Sequence, residues 1–144
     1  MKNCLWMAAL GLLAMAGAAL AQSEVIAERR EGLKRMGAHM EAMKPVADAR
    51  GDPRPLLPRI EEMIVFFRDL PDRFPPGSDR GDTRALPAVW TNRAGFEEAH
   101  ARMMGQLAVL RDAAAAGDGG AFASAYAATG PQFCGGCHRP FRGR

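Results

Sequence analysis

The 144-residue sequence predicts an all-α protein, a four-helix bundle in which one connection is a long crossover and the others are short turns. Three observations carry that prediction. Apolar residues recur at spacings of three, four and seven along four separate stretches, which is the period of a helix with one buried face. No stretch alternates apolar and polar residues as a half-buried strand would. Each stretch is bounded by residues that start or stop helices, with Ser, Thr or Asp before it and Pro or Gly after it.

The elements follow in order. Lys2 precedes an apolar run from Cys4 to Ala21 that closes on Ala19-Leu20-Ala21. This composition predicts a secretory leader over residues 1–21, cut before Gln22, in preference to a membrane anchor, and leaves residues 22–144 as one domain. Ile26, Leu33, Met36, Met40 and Met43 then form the stripe of a first helix, capped by Ser23 and ended by Pro45. Arg29 lies on that apolar face. Either its stem packs and its head escapes to solvent, or its guanidinium meets a buried anion.

Asp52-Pro53 is suited to open a second helix that reaches Leu70, with Leu56, Ile60, Met63, Phe67 and Leu70 turned inward. Met63 to Phe67 is apolar at five consecutive positions, more than one helical side can bury. The surplus, notably Val65 and Phe66, predicts a helix-to-helix contact in a homodimer. From Pro71 to Trp90 the chain is rich in proline and charge and reads as the crossover, held down by Phe74, Leu86, Val89 and Trp90. Thr91 is placed to cap a third helix running to Ala116, with Gly117 beyond it and Phe96, Ala99, Met103, Leu107, Leu110 and Ala114 as its stripe. Asp118 opens the fourth, which carries Phe122, Ala125, Tyr126 and Thr129 and is interrupted by Gly130-Pro131.

Charge excludes more than it identifies. Without Lys2 the chain keeps 18 basic and 16 acidic side chains, spread along its length, so neither a nucleic-acid surface nor, after leader cleavage, a membrane surface is implied. The chemistry gathers instead in Phe133-Cys134-Gly135-Gly136-Cys137-His138. Two thiols three positions apart share one side of a helix and can add to the two vinyl groups of a haem, and the following His138 turns its imidazole to the iron. A redox-active pair would sit near a βαβ unit, and a structural zinc site would need two further ligands at short spacing. Neither context is visible, because His39 and His100 are isolated and the only other cysteine, Cys4, lies in the leader. The motif therefore predicts one haem c per chain, covalent through Cys134 and Cys137, on an exported protein.

The quoted residues resemble the cytochrome c-prime family, the class II c-type cytochromes, over essentially all of residues 22–144. Arg29-x-x-x-Leu33-x-x-Met36-x-x-His39, Phe74-Pro75-Pro76-Gly77-Ser78-Asp79-x-Gly81 followed by Trp90, and Cys134-x-x-Cys137-His138-x-x-Phe141-Arg142 carry the likeness. Pro131 and Pro140 depart from the pattern of the family's last helix. The resemblance implies a periplasmic homodimeric four-helix bundle with His138 as proximal ligand. It makes Leu33 the residue over the distal face, Arg29 the arginine on the propionate side and Arg142 the arginine of the proximal pocket. With leucine over the iron, the haem would be five-coordinate and would bind nitric oxide or carbon monoxide while exchanging one electron with an unidentified redox partner. That is a ligand-binding protein and not an enzyme, since no acid or base lies beside Leu33 to drive peroxidase or nitrite chemistry. The alternative is a six-coordinate electron carrier in which Met36 supplies the sixth ligand.

Overall fold

The structure, a computed structural model, describes the backbone from Lys2 to Arg144 and side chains from Leu20 onward. The predicted leader, with Cys4, lies almost wholly outside the described side chains. Six α-helices appear: α1 (Lys2–Ala49), α2 (Leu57–Arg68), α3 (Ala88–Thr91), α4 (Arg93–Ala116), α5 (Gly119–Ala128) and α6 (Gly135–Phe141). A π-helical turn, Thr129–Cys134, joins α5 to α6 so that the two behave as one bent rod. With α1, α2 and α4 this rod makes the four-helix bundle, α1 packing on α2 and α5 and α4 packing on α2, α5 and α6. Among the described residues there is no strand, only one antiparallel bridge, Ala85 to Arg142.

The buried stripes follow the predicted ones except on α2, where Phe66 is buried and Phe67 only half-buried, and on α1, where Leu33 and Met40 are half-buried. Met36, Met43, Ile60, Met63, Phe96, Met103, Leu107, Leu110, Ala114 and Phe122 meet in a single core. The helices approach closely where glycine permits it: a Cβ on Gly32 of α1 would lie 2.1 Å from the ring of Phe66 on α2. Phe66 is consequently only 5% exposed, covered by its own chain, and is not available to a second copy. Only Val65, at 52%, remains of that part of the expected dimer surface.

Four boundaries differ from the sequence reading. The second helix opens as a 3-10 turn, Arg54–Leu56, and α2 itself spans Leu57–Arg68, short of Leu70. Ser23 is not a cap, because α1 runs unbroken through it and its hydroxyl donates back to the Leu20 carbonyl at 2.7 Å. Nor does Pro45 end α1. The ring forfeits one backbone hydrogen bond, but Met43 and Ala47 on either side of it are buried and hold the next turn in place. Termination comes instead at Arg50, which takes a left-handed φ of 48°. Its N–H donates to Ala47 and that of Gly51 to Val46, a Schellman closure. Finally, Asn92 and not Thr91 caps α4: its side chain accepts from the Gly95 N–H, while Thr91 ends the short α3.

Asp118 caps α5 as predicted, accepting from the Ala121 N–H at 2.8 Å, and Gly117 closes α4 with φ 69°. The crossover is tightly tied. Its Trp90 Nε1 donates to the carbonyls of Phe74 and Pro75, and Phe74, Phe96 and Phe141 stack edge to face from the crossover through α4 to α6.

Candidate haem site

The site is built where the bent rod meets the end of the crossover. Pro131 has no N–H to give to the carbonyl four residues earlier, and Gly130 before it resists helix, so the α-helical ladder cannot pass straight through. The chain widens into a π turn instead of breaking, a geometry that recurs at functional sites. A polar brace supports the turn. Gln106 Nε2 on α4 donates to the Ala125 carbonyl at 2.8 Å and to Thr129 Oγ1 at 3.1 Å, and Thr129 also donates to Ala125. All of this lies inside the bundle, where an unpaired amide would be costly. Sequence reasoning passed over Gln106, although a glutamine beside Leu107 on an apolar stripe was the available signal.

The motif straddles the end of the turn and α6: Cys134 closes the π turn, and Cys137 and His138 lie on α6. Cys134 and Cys137 are free, half-buried and packed against the core. Burial pushes both thiols above the usual cysteine range; for Cys137 the neighbouring Cys134 adds to the rise and Arg102 opposes it. Thiols held protonated are poor metal ligands but retain the S–H that thioether formation consumes. His138 is exposed, yet the protein around it, and then the charge of Arg142, push its imidazole below its ordinary value. A neutral ring is the form that ligates a metal. Among the described residues no group of three or more His, Cys, Asp or Glu gathers as a metal site. Two thiols on one turn with an adjacent neutral imidazole, and Gly136 between them opening onto free space, fit a covalently held haem.

The remaining predicted residues fall as follows. Arg142 follows α6 in extended conformation, paired across from Ala85, with Leu86 N–H donating to the Phe141 carbonyl and Gly143 N–H to that of Arg84. Pro140 sits within α6 without displacing it, and Arg142 stays close enough to act on His138. Leu33 is half-buried on the inner face of α1, whereas Met36 is 3% exposed and part of the core.

Arg29 is 2% exposed, so its head does not escape to solvent. It clamps the crossover: Nη1 donates to Ser78 Oγ (2.8 Å) and the Arg73 carbonyl (3.3 Å), Nη2 to the Ser78 carbonyl (2.8 Å) and Thr83 Oγ1 (2.6 Å). Its guanidinium also lies 4.5 Å from the centre of the Phe74 ring. Ser78 lies in the Phe74-to-Gly81 stretch that carries the likeness, but nothing in the sequence marked it or Thr83 as a partner of Arg29.

The other histidines are accounted for within the bundle. His100 pairs with the Phe67 carbonyl at 2.7 Å. His39 is buried against Glu62 on the seam of α1 and α2.

An all-helical bundle whose last helix presents two cysteines and a histidine in this order is a c-type haem protein of the four-helix class. The family model for cytochrome c′ matches residues 24–142, and the chain belongs to that family, whose members carry covalent haem c. It is 37% identical over 93 residues to cytochrome c′ of Rhodopseudomonas palustris, a match covering 60% of this chain and 62% of that protein. Cytochrome c-556 of Agrobacterium tumefaciens is 30% identical over 118 residues, covering 80% of this chain and 94% of the relative. Among solved structures, cytochrome c′ of Rubrivivax gelatinosus superposes with a TM-score of 0.73 at 27% identity, over 82% of this chain and 94% of that one. A nitric oxide complex of a cytochrome c prime mutant from Alcaligenes xylosoxidans gives 0.77 at 23% identity, over 85% and 97%, which speaks to the fold.

Proposed function

We propose that residues 1–21 are a cleaved leader and that the mature protein is a periplasmic, homodimeric haem protein with five-coordinate iron. In this reading it binds nitric oxide or carbon monoxide and exchanges single electrons, without catalytic turnover. The observation that carries the reading is the contrast on α1: Leu33 stays partly open on the inner face, while Met36 is closed into the core. A methionine already packed among apolar neighbours gains nothing from the modest helix rotation that would present its sulfur, displace Leu33 and void its own site. Packing thus speaks against Met36 as a sixth ligand.

Haem bound here supplies an iron that takes a neutral diatomic ligand and changes charge by one electron. The chain's residues set the conditions. Cys134 and Cys137 would tether the group, and His138, whose pKa burial and then Arg142 lower, would offer a ring nitrogen to it. Arg142, anchored through the bridge to Ala85, lends positive charge there. Leu33 puts an apolar side chain over the distal side and offers no hydrogen-bond donor. Nitric oxide and carbon monoxide need none, but a ligand that gathers negative charge does, so dioxygen is disfavoured.

Arg29 lies one turn from Leu33 and has its outer nitrogens engaged by the crossover, so any propionate contact would be additional to that clamp. Family membership and the nitric oxide complex known for the Alcaligenes xylosoxidans relative support the choice of ligands.

Optical spectra of the purified holoprotein test the reading. High-spin ferric and ferrous haem, with carbon monoxide binding to the ferrous form, is the expected result. A low-spin ferrous spectrum would show a sixth protein ligand and overturn it.

A further inference from the structure

Four exposed arginines without an ion-pair partner stand together at the end of this protein that bears the two cysteines. Ten ion pairs occur among the described residues, and none of them takes Arg84, Arg139, Arg142 or Arg144. All four are exposed. Arg50, Arg59, Arg68 and Arg80 are also exposed and outside these ion pairs, and what sets Arg84, Arg139, Arg142 and Arg144 apart is their place beside the haem motif.

The fold brings them together. Arg139 is on α6, two residues after Cys137, and Arg142 and Arg144 flank Gly143, whose N–H donates to the carbonyl of Arg84 at 2.7 Å. Arg84 thus comes from the crossover, more than fifty residues earlier, to stand beside the haem-bearing helix. After Asp118 the sequence has no acidic residue, and Glu98, on neighbouring α4, is neutralised by Arg102 at 2.6 Å.

We infer that this arginine rim is the docking surface for an acidic electron-transfer protein, which delivers one electron to the ferric haem and is itself oxidised by one. The inference rests on the one-electron exchange proposed above and names the partner's surface. Guanidinium groups suit it because each can take a carboxylate in a two-pronged pair. Unneutralised charge around a redox centre also steers an oppositely charged partner during encounter. A lipid surface is less well matched, since of the large apolar residues beside these arginines Phe141 is buried and Leu86 half-buried, which leaves no fully exposed anchor to insert.

Stopped-flow reduction of the ferric holoprotein tests this with two donors, reduced flavodoxin as an acidic protein and hexaammineruthenium(II) as a small cation. The variant is Arg84→Glu/Arg139→Glu/Arg144→Glu, which leaves Arg142 and the haem ligands intact. At low salt the flavodoxin rate should fall at least about tenfold in the variant, and in the wild type it should fall as salt rises through the range where the Debye length drops from ~30 to ~10 Å. The ruthenium rate should hold or rise, showing that the haem itself is undamaged.

Equal flavodoxin rates in both proteins, without salt dependence, would overturn the rim while leaving the haem function standing. Failure of either donor to reduce the wild type would instead remove the electron-exchange reading beneath it. Binding to phosphatidylglycerol vesicles at physiological salt that the variant loses, with its flavodoxin rate unchanged, would assign the rim to a membrane and overturn the proposal.

Discussion

Replacing Arg29 with methionine should loosen the crossover before it alters the haem. The side chain is similar in reach, but the substitution removes four hydrogen bonds from a site that is 2% exposed. Two acceptors keep other partners: Ser78 Oγ still donates to the Pro75 carbonyl, and Thr83 Oγ1 still accepts from the Ala85 N–H. The Ser78 carbonyl, on a fully buried residue, loses its charged donor, which costs ~1–3 kcal/mol, and the charge-assisted bonds to the hydroxyls add a comparable amount. Offsetting this, burial lowers the pKa of Arg29, and an apolar side chain is relieved of that desolvation.

The net expectation is a loss of about 2–4 kcal/mol, or roughly 10 °C in melting temperature for a domain of this size. Urea denaturation of the holoprotein measures the sum, and hydrogen exchange at Ser78 and Ala85 locates it. Arg29→Lys, which keeps the charge but not the fork, should fall between wild type and methionine. A cost below about 1 kcal/mol with unchanged exchange in the crossover would refute the clamp. A change confined to the reduction potential would return Arg29 to the propionate.

Three further outcomes follow from the same geometry. Leu33→Ala should accelerate carbon monoxide association by about a hundredfold if the leucine gate is worth ~3 kcal/mol, read by flash photolysis; an unchanged rate would mean that Leu33 does not cover the iron. Met36→Ala should cost ~2–5 kcal/mol in denaturation, because the side chain is fully packed, and should leave the ferrous spectrum as it was. Val65→Lys should leave the monomer fold intact, since that residue is exposed, and convert a dimer to monomers in sedimentation equilibrium; wild-type protein already monomeric at micromolar concentration would remove the α2 interface.

What the sequence determined by itself was periodic or contiguous. The buried stripes of α1, α2 and α4 are read from spacings within single helices, and the haem motif lies in six consecutive residues, so neither needed knowledge of distant partners. The caps at Asp118 and Gly117 were equally local. Where local rules failed, a contact from elsewhere had prevailed. Pro45 should stop a helix, but the burial of Met43 and Ala47 carries α1 past it to Arg50. Phe66 looked surplus on its own helix, and it is the glycine of another helix, Gly32, that makes room for it inside. Thr91 and Asn92 are both competent caps, and only the short α3 ending at Thr91 leaves the role to Asn92. The charged residues show the difference most plainly. Arg29 is anomalous in the sequence, yet its partners Ser78 and Thr83 lie some fifty residues away and no period points to them. Arginines that look scattered along the chain converge because a bridge between Ala85 and Arg142 ties the crossover to the last helix. Hydrogen bonds and charge act through space, so those assignments belonged to the tertiary structure alone.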